Sequence, residues 1–294
     1  MNRQSFLSAI GGAAVMACAP QARAQKAEPK YRDNLKRLAE WVAKSYVGGD
    51  IGLVPDLPSG KIHDGKARED LKNLYWLQNC NLFSFYALRS YDKALAAKIE
   101  ESYWSWYKKA FAECEERTEH YLAVGKLPKT NPPDGRFFPV VVKTREYNGY
   151  TVGTETFDAS RTGQIKDNEP RGLLKFGVLG AQLRGEKDKA RDYFRKAIAL
   201  WDGAGFPDQK MGAGTRASYV TRYLPYALMA ERAAHEKMPA AIKEAIESRL
   251  WSLQDSDGGV WTNFNADGSI PAIAKKTTEI GPLTLLAYDD RIWP

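Results

Sequence analysis

Leu250-Trp251-Ser252-Leu253-Gln254-Asp255-Ser256-Asp257-Gly258-Gly259-Val260-Trp261 ends an amphipathic helix in a glycine turn and then sets down an aromatic residue. The same order of events occurs in Ala197-Ile-Ala-Leu-Trp201-Asp202-Gly-Ala-Gly-Phe206-Pro-Asp208 and, less cleanly, from Trp41 through Tyr46, Gly49 and Gly52 to Leu53. Glycine closes a helix in the left-handed conformation without the Cβ penalty that other residues meet. A helix, a glycine turn and a short apolar segment therefore form a unit that the chain repeats.

Around these units the apolar residues recur at helical spacing. Leu35, Leu38, Trp41 and Val42 mark a helix from Tyr31 to Tyr46, and residues 48–69, rich in Gly, Pro and Asp, read as a loop. Residues 71–89 are apolar almost all round, which predicts a helix buried on every side. An amphipathic helix follows from Lys93 to about His120. Between Gly125 and Asn168 the helical period breaks, and Phe137–Glu146 and Tyr150–Phe157 flank Asn148-Gly149, the pattern of a β-hairpin. Paired helices resume over about 171–184 with 187–201 and 216–235 with 239–254. A last helix runs from Thr278 to about Tyr288.

Alternating buried and amphipathic helices suit an all-α fold, an α/α toroid of paired inner and outer helices with a small β-hairpin insertion at about 136–158. A plain helical bundle is the alternative. Residues 25–294 then form a single domain. In a toroid the glycine-rich loops gather at one mouth, so polar residues from distant segments converge on a cup.

The Gln254-to-Trp261 stretch resembles the Q-x-x-D-G-G-x-aromatic repeats of the terpenoid cyclase and protein prenyltransferase toroids. Asn81-Leu-Phe-Ser-Phe-Tyr86-Ala-Leu88 and Glu279-Ile-Gly-Pro-Leu-Thr-Leu-Leu-Ala-Tyr288 are similar to helices of uncharacterised toroid proteins. Cys80 stands where those proteins carry an acid before the Asn, and Ile280-Gly281 stands in place of their Thr pair. The resemblance implies the toroid fold. The acidic D-x-D-D cluster of the cyclases and the zinc ligands of the prenyltransferases are both missing, which counts against an isoprenoid-processing role.

Arg3, an apolar run from Phe6 to Ala19 and Ala22-Arg23-Ala24 read as a cleavable export signal over residues 1–24. The run is shorter than the roughly 20 residues that span a bilayer. A periplasmic or secreted protein without a stable membrane span is expected. The whole chain carries 43 Lys+Arg against 36 Asp+Glu, net +7. Loss of Arg3 and Arg23 leaves a mild positive excess, compatible with acidic glycans. Export makes nucleic acid an unfavourable partner, and nothing in the chain reports the oligomeric state. Cys80 and Cys114 survive cleavage and are expected as buried free thiols.

No motif names a reaction. G-x-S-x-G and H-E-x-x-H are absent, and the three histidines His63, His120 and His235 with two distant cysteines make no zinc set. Asn263-Phe-Asn265-Ala-Asp267-Gly268 copies half of a calcium loop, but Ala274 replaces its closing Glu. No metal or cofactor is expected. The expected ligand is a small molecule or glycan, because aromatic faces stack on sugars while carboxylates do the acid–base work of glycoside cleavage.

Asp202, Asp208, Asp257, Glu279, Asp167 and Glu155 are the acids nearest the expected cup. Glu279, Asp202 and Asp257 are the catalytic candidates; Glu279 opens an otherwise apolar helix. Trp76, Asn79 and Tyr86 share one helix face. With Arg216, Tyr219, Trp261 and His120 they are the binding candidates, and the planar fork of Arg216 suits a uronate carboxylate. Two readings stand: a carbohydrate-active hydrolase or lyase, and a non-catalytic protein that binds a glycan, peptide or apolar molecule.

Overall fold

The computed structural model describes residues 31–114, 119–128, 135–137, 140–157, 162–208 and 218–293. The export signal and Arg216 lie outside them. The helices are α1 (Arg32–Lys44), α2 (Glu69–Lys72), α3 (Phe83–Leu88), α4 (Lys93–Ala110), α5 (Ala181–Leu183), α6 (Lys187–Ile198), α7 (Tyr223–Ala233), α8 (Ala240–Ser252) and α9 (Ile280–Ala287). Two segments, Leu77–Leu82 and Gly172–Gly180, are wound as wider π-helix and lead directly into α3 and α5. The strands are β1 (Leu74–Trp76), β2 (Gly135–Phe137), β3 (Val140–Tyr147), β4 (Tyr150–Phe157), β5 (Thr162–Gln164), β6 (Ser218–Val220) and β7 (Asn263–Asn265).

The expectation of an all-α toroid is corrected by these strands, which form three small sheets: β1-β4-β3, β2-β5 and β6-β7. The chain is a mixed α and β structure. The hairpin turns at Asn148 and Gly149, both at positive φ, and it is not a simple insertion. Its strand β4 pairs in parallel with β1, Leu74 to Thr151 and Trp76 to Gly153, so residues 74–76 are extended instead of helical. Likewise, Ser218–Val220 pairs with Asn263–Asn265, and α7 starts at Tyr223. In both places a distant partner strand satisfies backbone groups that a local helix would otherwise have bonded. The long amphipathic helix stops at Ala110, where Phe111 leaves helical geometry at φ −139°. Glu119–Val124 is a separate 3₁₀ turn.

The fully buried helix α9 packs on α1, α3 and α7, and α7 packs in turn on the Gly172–Gly180 segment. On α1, Leu35, Leu38 and Val42 are almost wholly buried, each contributing about 1.5–3 kcal/mol. The side chain of Gln254 joins segments 220 residues apart: its amide nitrogen donates to Asn34 O and Gly258 O at 2.9 Å, and its oxygen accepts from Asn34 Nδ2 at 2.7 Å. Gly258 sits at φ +96°, and a Cβ there would lie 2.6 Å from the Arg37 carbonyl oxygen. Gly258→Ala is therefore expected to cost about 1–3 kcal/mol, from left-handed strain and overpacking together. Chemical denaturation would show it as a lower midpoint, and an unchanged midpoint would mean that this closure adds no stability. Among the described residues no helix is long and apolar enough to cross a membrane.

Candidate functional site

Buried charge is costly unless paired, and here it is concentrated where five separate segments meet. Glu119, from the 3₁₀ turn, accepts hydrogen bonds through one carboxylate oxygen from Arg171 and from Lys175, the latter at 2.8 Å. The side chains of Glu119 and Lys175 are each only 3% exposed. Burial would push the Glu119 carboxyl up, but Arg171 and then Lys175 outweigh it and hold it well below the usual carboxylate range. Burial, followed by Arg171, pushes the Lys175 ammonium down, and Glu119 opposes that shift.

The neighbouring His120 places Nδ1 3.5 Å from Glu155 Oε2. Its imidazole is driven well below its ordinary value by burial and then by Lys175, so at neutral pH the ring is uncharged. Glu155 moves the other way. Burial first, then the like charges of Glu119 and Glu279, push its carboxyl up to about 7 against the pull of Lys175 and Arg171. Strand β4 carries Glu155 and is fastened from below by Gln78, which donates to Thr154 Oγ1 and accepts from the Glu155 backbone N–H at 3.0 Å.

Glu279 immediately precedes α9 and makes no capping bond. It pairs instead with Arg222 at 3.2 Å, with side-chain exposures of 14% for Glu279 and 26% for Arg222. Tyr226 on α7 is buried nearby, and burial, then Glu279 and Glu119, drives its hydroxyl far above the phenolic range. Behind Glu279, Asp56 pairs with Lys275 at 3.3 Å and accepts from the Cys80 thiol at 3.7 Å. Burial raises the Asp56 carboxyl. Cys80 and Cys114 are both buried and free.

Gln78 lies on one π-helical segment and Lys175 on the other. Such wide turns inside helices frequently occur at functional sites. The arrangement offers a carboxyl that exchanges its proton near neutrality beside a second carboxyl paired with a guanidinium, the split environment that acid–base chemistry uses. Among the described residues no group of His, Cys, Asp and Glu is arranged to hold a metal ion.

Of the residues singled out by sequence, Glu279 and His120 belong to this cluster, as does Glu155 from the wider set of acids. Asp202 does not. Its carboxylate accepts from the backbone of Ala204 and Gly205 at 2.9 Å and from the Tyr219 hydroxyl at 2.6 Å, which makes it the brace of a glycine turn. Tyr219 is committed to the same turn and stacks on Phe264 at 5.3 Å. Asp257 accepts from Gly259 N and pairs with Lys276 at 2.6 Å, and the same lysine lies over Trp261. The other ring contact of Trp261 is with His63. Trp76 rests against Gly153, where a Cβ would meet its ring at 2.5 Å. Tyr86 contacts Phe85, Arg89 and Lys126 near the far end of α3. Asn79 is adjacent to Gln78, and its side-chain oxygen is buried with no hydrogen-bond partner among the described residues. Asp267 accepts from Ser269 N and Oγ within its own turn.

Sequence reading missed Glu119, Arg171, Lys175, Arg222 and Tyr226. One signal was available: Lys175 is the single charge in Gly172-Leu-Leu-Lys-Phe-Gly-Val-Leu-Gly180, and a lone charge in an apolar helix needs a buried partner. Comparison of the chain with models of known protein families and with curated protein sequences found no match.

Proposed function

We propose that the chain is an exported carbohydrate-active enzyme that hydrolyses glycosidic bonds, with Glu155 as general acid and Glu279 as the opposing carboxylate. The observation that carries this reading is the Glu155 carboxyl, raised to about 7 while still 22% exposed and in contact with an uncharged His120. A general acid works best when its proton is held, yet releasable, near the working pH.

In the proposed reaction Glu155 gives its proton to the glycosidic oxygen as the bond to the sugar breaks. Glu279, oriented by Arg222, assists attack on the sugar carbon, either by taking a proton from water or by bonding directly. If Glu279 has bonded to the sugar, water then attacks that carbon and gives its proton to the ionised Glu155; if Glu279 has taken the proton from water, it passes it to solvent, from which Glu155 is reprotonated. The export assignment rests on the apolar run and Ala22-Arg23-Ala24.

A panel of neutral and acidic polysaccharides, assayed with wild type and Glu279→Gln, tests the proposal. Reducing ends released by wild type and reduced at least about a hundredfold in the variant support it. An unsaturated, ultraviolet-absorbing product would shift the chemistry to elimination. The second reading, a binding protein, is favoured by the pairing of Glu119 with both Arg171 and Lys175, which ties these charges into the fold. Saturable glycan binding with no turnover across the panel would select it.

A further inference from the structure

Successive side chains of a strand point to opposite sides of its sheet, and residues paired across strands share a side. On that rule the sheet β1-β4-β3 has one packed face and one open face. The packed face lies on α4: Thr154 shares a hydrogen bond with the Tyr107 hydroxyl at 3.1 Å, and the Arg145 guanidinium lies over the Phe111 ring at 5.3 Å. The other face carries Gly153 and Glu155 of β4, with Trp76 and Thr144 paired on either side of Gly153 and Val142 paired with Glu155. Val142 is 53% exposed, Thr144 is exposed and Trp76 is half-buried. Gly153 is what lets the indole lie there, since a Cβ at this position would stand 2.5 Å from the six-membered ring of Trp76. An aromatic ring is thus held on the Glu155 side of the sheet, two residues or about 7 Å away along β4.

We infer that this open face is the floor of a glycan subsite, on which a neutral pyranose ring stacks against Trp76 and brings the adjoining glycosidic bond over Glu155. The inference deepens the catalytic reading by naming a subsite and its sugar class, and it rests on that reading only for placing the scissile bond at Glu155. A pyranose offers apolar C–H patches to an indole, while its hydroxyls need polar partners. The exposed Thr144 hydroxyl, across Gly153 from Trp76, supplies one.

The rows of the sheet decide the charge of that sugar. Glu146, exposed and paired with Thr151, lies on the same face one row before Trp76, and Glu155 lies one row after it. A ring seated on Trp76 therefore has a carboxyl on either side. The strand residues described on this face include no Lys or Arg. An anionic sugar would find no cation on the floor beneath it and would be repelled by Glu146, whereas a neutral one meets no such cost.

The experiment is calorimetric titration of the full chain with neutral pentasaccharides of glucose (β- and α-linked), xylose and N-acetylglucosamine and with a galacturonate pentasaccharide, joined to steady-state kinetics on any that is cleaved. At least one neutral pentasaccharide is expected to bind saturably and more tightly than the galacturonate one. Trp76→Ala should weaken that binding about tenfold, and should raise KM by a similar factor while leaving kcat within about threefold. Gly153→Val, which pushes the indole off its seat, should match it. Trp76→Tyr keeps an aromatic face and should restore most of the affinity, which also covers the case in which the alanine variant fails to fold. Glu155→Gln should instead spare binding and lower kcat. Failure of every neutral pentasaccharide to bind, tighter binding of the galacturonate one, or unchanged affinity in Trp76→Ala would each overturn the inference. So would a dimer in sedimentation velocity that Trp76→Ala dissolves, since a second copy would then be what covers this face. Binding that depends on Trp76 without any turnover sinks the catalytic reading and leaves the subsite intact. Turnover of a neutral glycan with KM untouched by Trp76→Ala does the reverse.

Discussion

Glu155→Gln is expected to lower turnover by about 10²–10⁴-fold, the usual loss when a positioned general acid is removed. The amide keeps the shape of the side chain and can no longer give up a proton. In wild type the acid form persists until about pH 7, so kcat should decline as pH rises above that value. Glu155→Gln should abolish that limb of the profile along with most of the rate. An unchanged rate or an unchanged pH profile would remove Glu155 from the chemistry.

The same substitution has a second readout. A carboxyl raised in the folded state adds most to stability below its unfolded value, and that contribution is lost as pH rises through about 7. Each pKa unit is worth about 1.4 kcal/mol. Since the group is partly exposed, Glu155→Gln should stabilise the fold at pH 8 by roughly 1–3 kcal/mol and change it little at pH 4. A residue that destabilises the fold at working pH while being required for rate is the pattern of a functional group.

Glu119→Gln carries the opposite sign. It leaves Arg171 and Lys175 buried with their shared carboxylate gone, and removing one partner of a buried ion pair typically costs about 3–5 kcal/mol. Denaturant unfolding at pH 7 measures this as a large drop in midpoint. Because pairing holds the Glu119 carboxyl down, wild type should lose the same contribution on acidification below the ordinary carboxylate range, whereas the variant has none to lose. Lys175→Met in the Glu119→Gln background should restore part of the stability by removing the orphaned ammonium. A midpoint within about 1 kcal/mol of wild type for Glu119→Gln would mean that the cluster is not structural.

These effects separate what could be seen along the chain from what could not. The glycine turns were legible because a positive φ is a local demand: Gly203 at +98° and Gly258 at +96° occupy conformations that few other residues adopt. The Asn148-Gly149 turn was legible for the same reason, and α1 was legible from its apolar spacing. Glu279 stood out as an acid at the start of an apolar helix. Leu74–Trp76 was misread as helix because its apolar run fits a buried helix as well as a buried strand, and only pairing with β4, more than 70 residues away, decides between them. Asp202 and Asp257 looked catalytic for a related reason. An aspartate that braces a glycine turn and an aspartate that serves a ligand have the same sequence signature, and they differ only in what their oxygens touch.

By itself the sequence determined where the backbone must bend, which faces are apolar and which acids sit at helix entrances, because those properties depend on residues a few positions apart. Only the tertiary structure decided that Glu119 would meet Arg171 and Lys175, that Glu155 would lie against His120 and that Glu279 would pair with Arg222. Charge is long-ranged in a low-dielectric interior and indifferent to separation along the chain. The proton affinity of Glu155 is therefore set by burial and by charges 16 to 124 positions distant, a property that no local pattern carries.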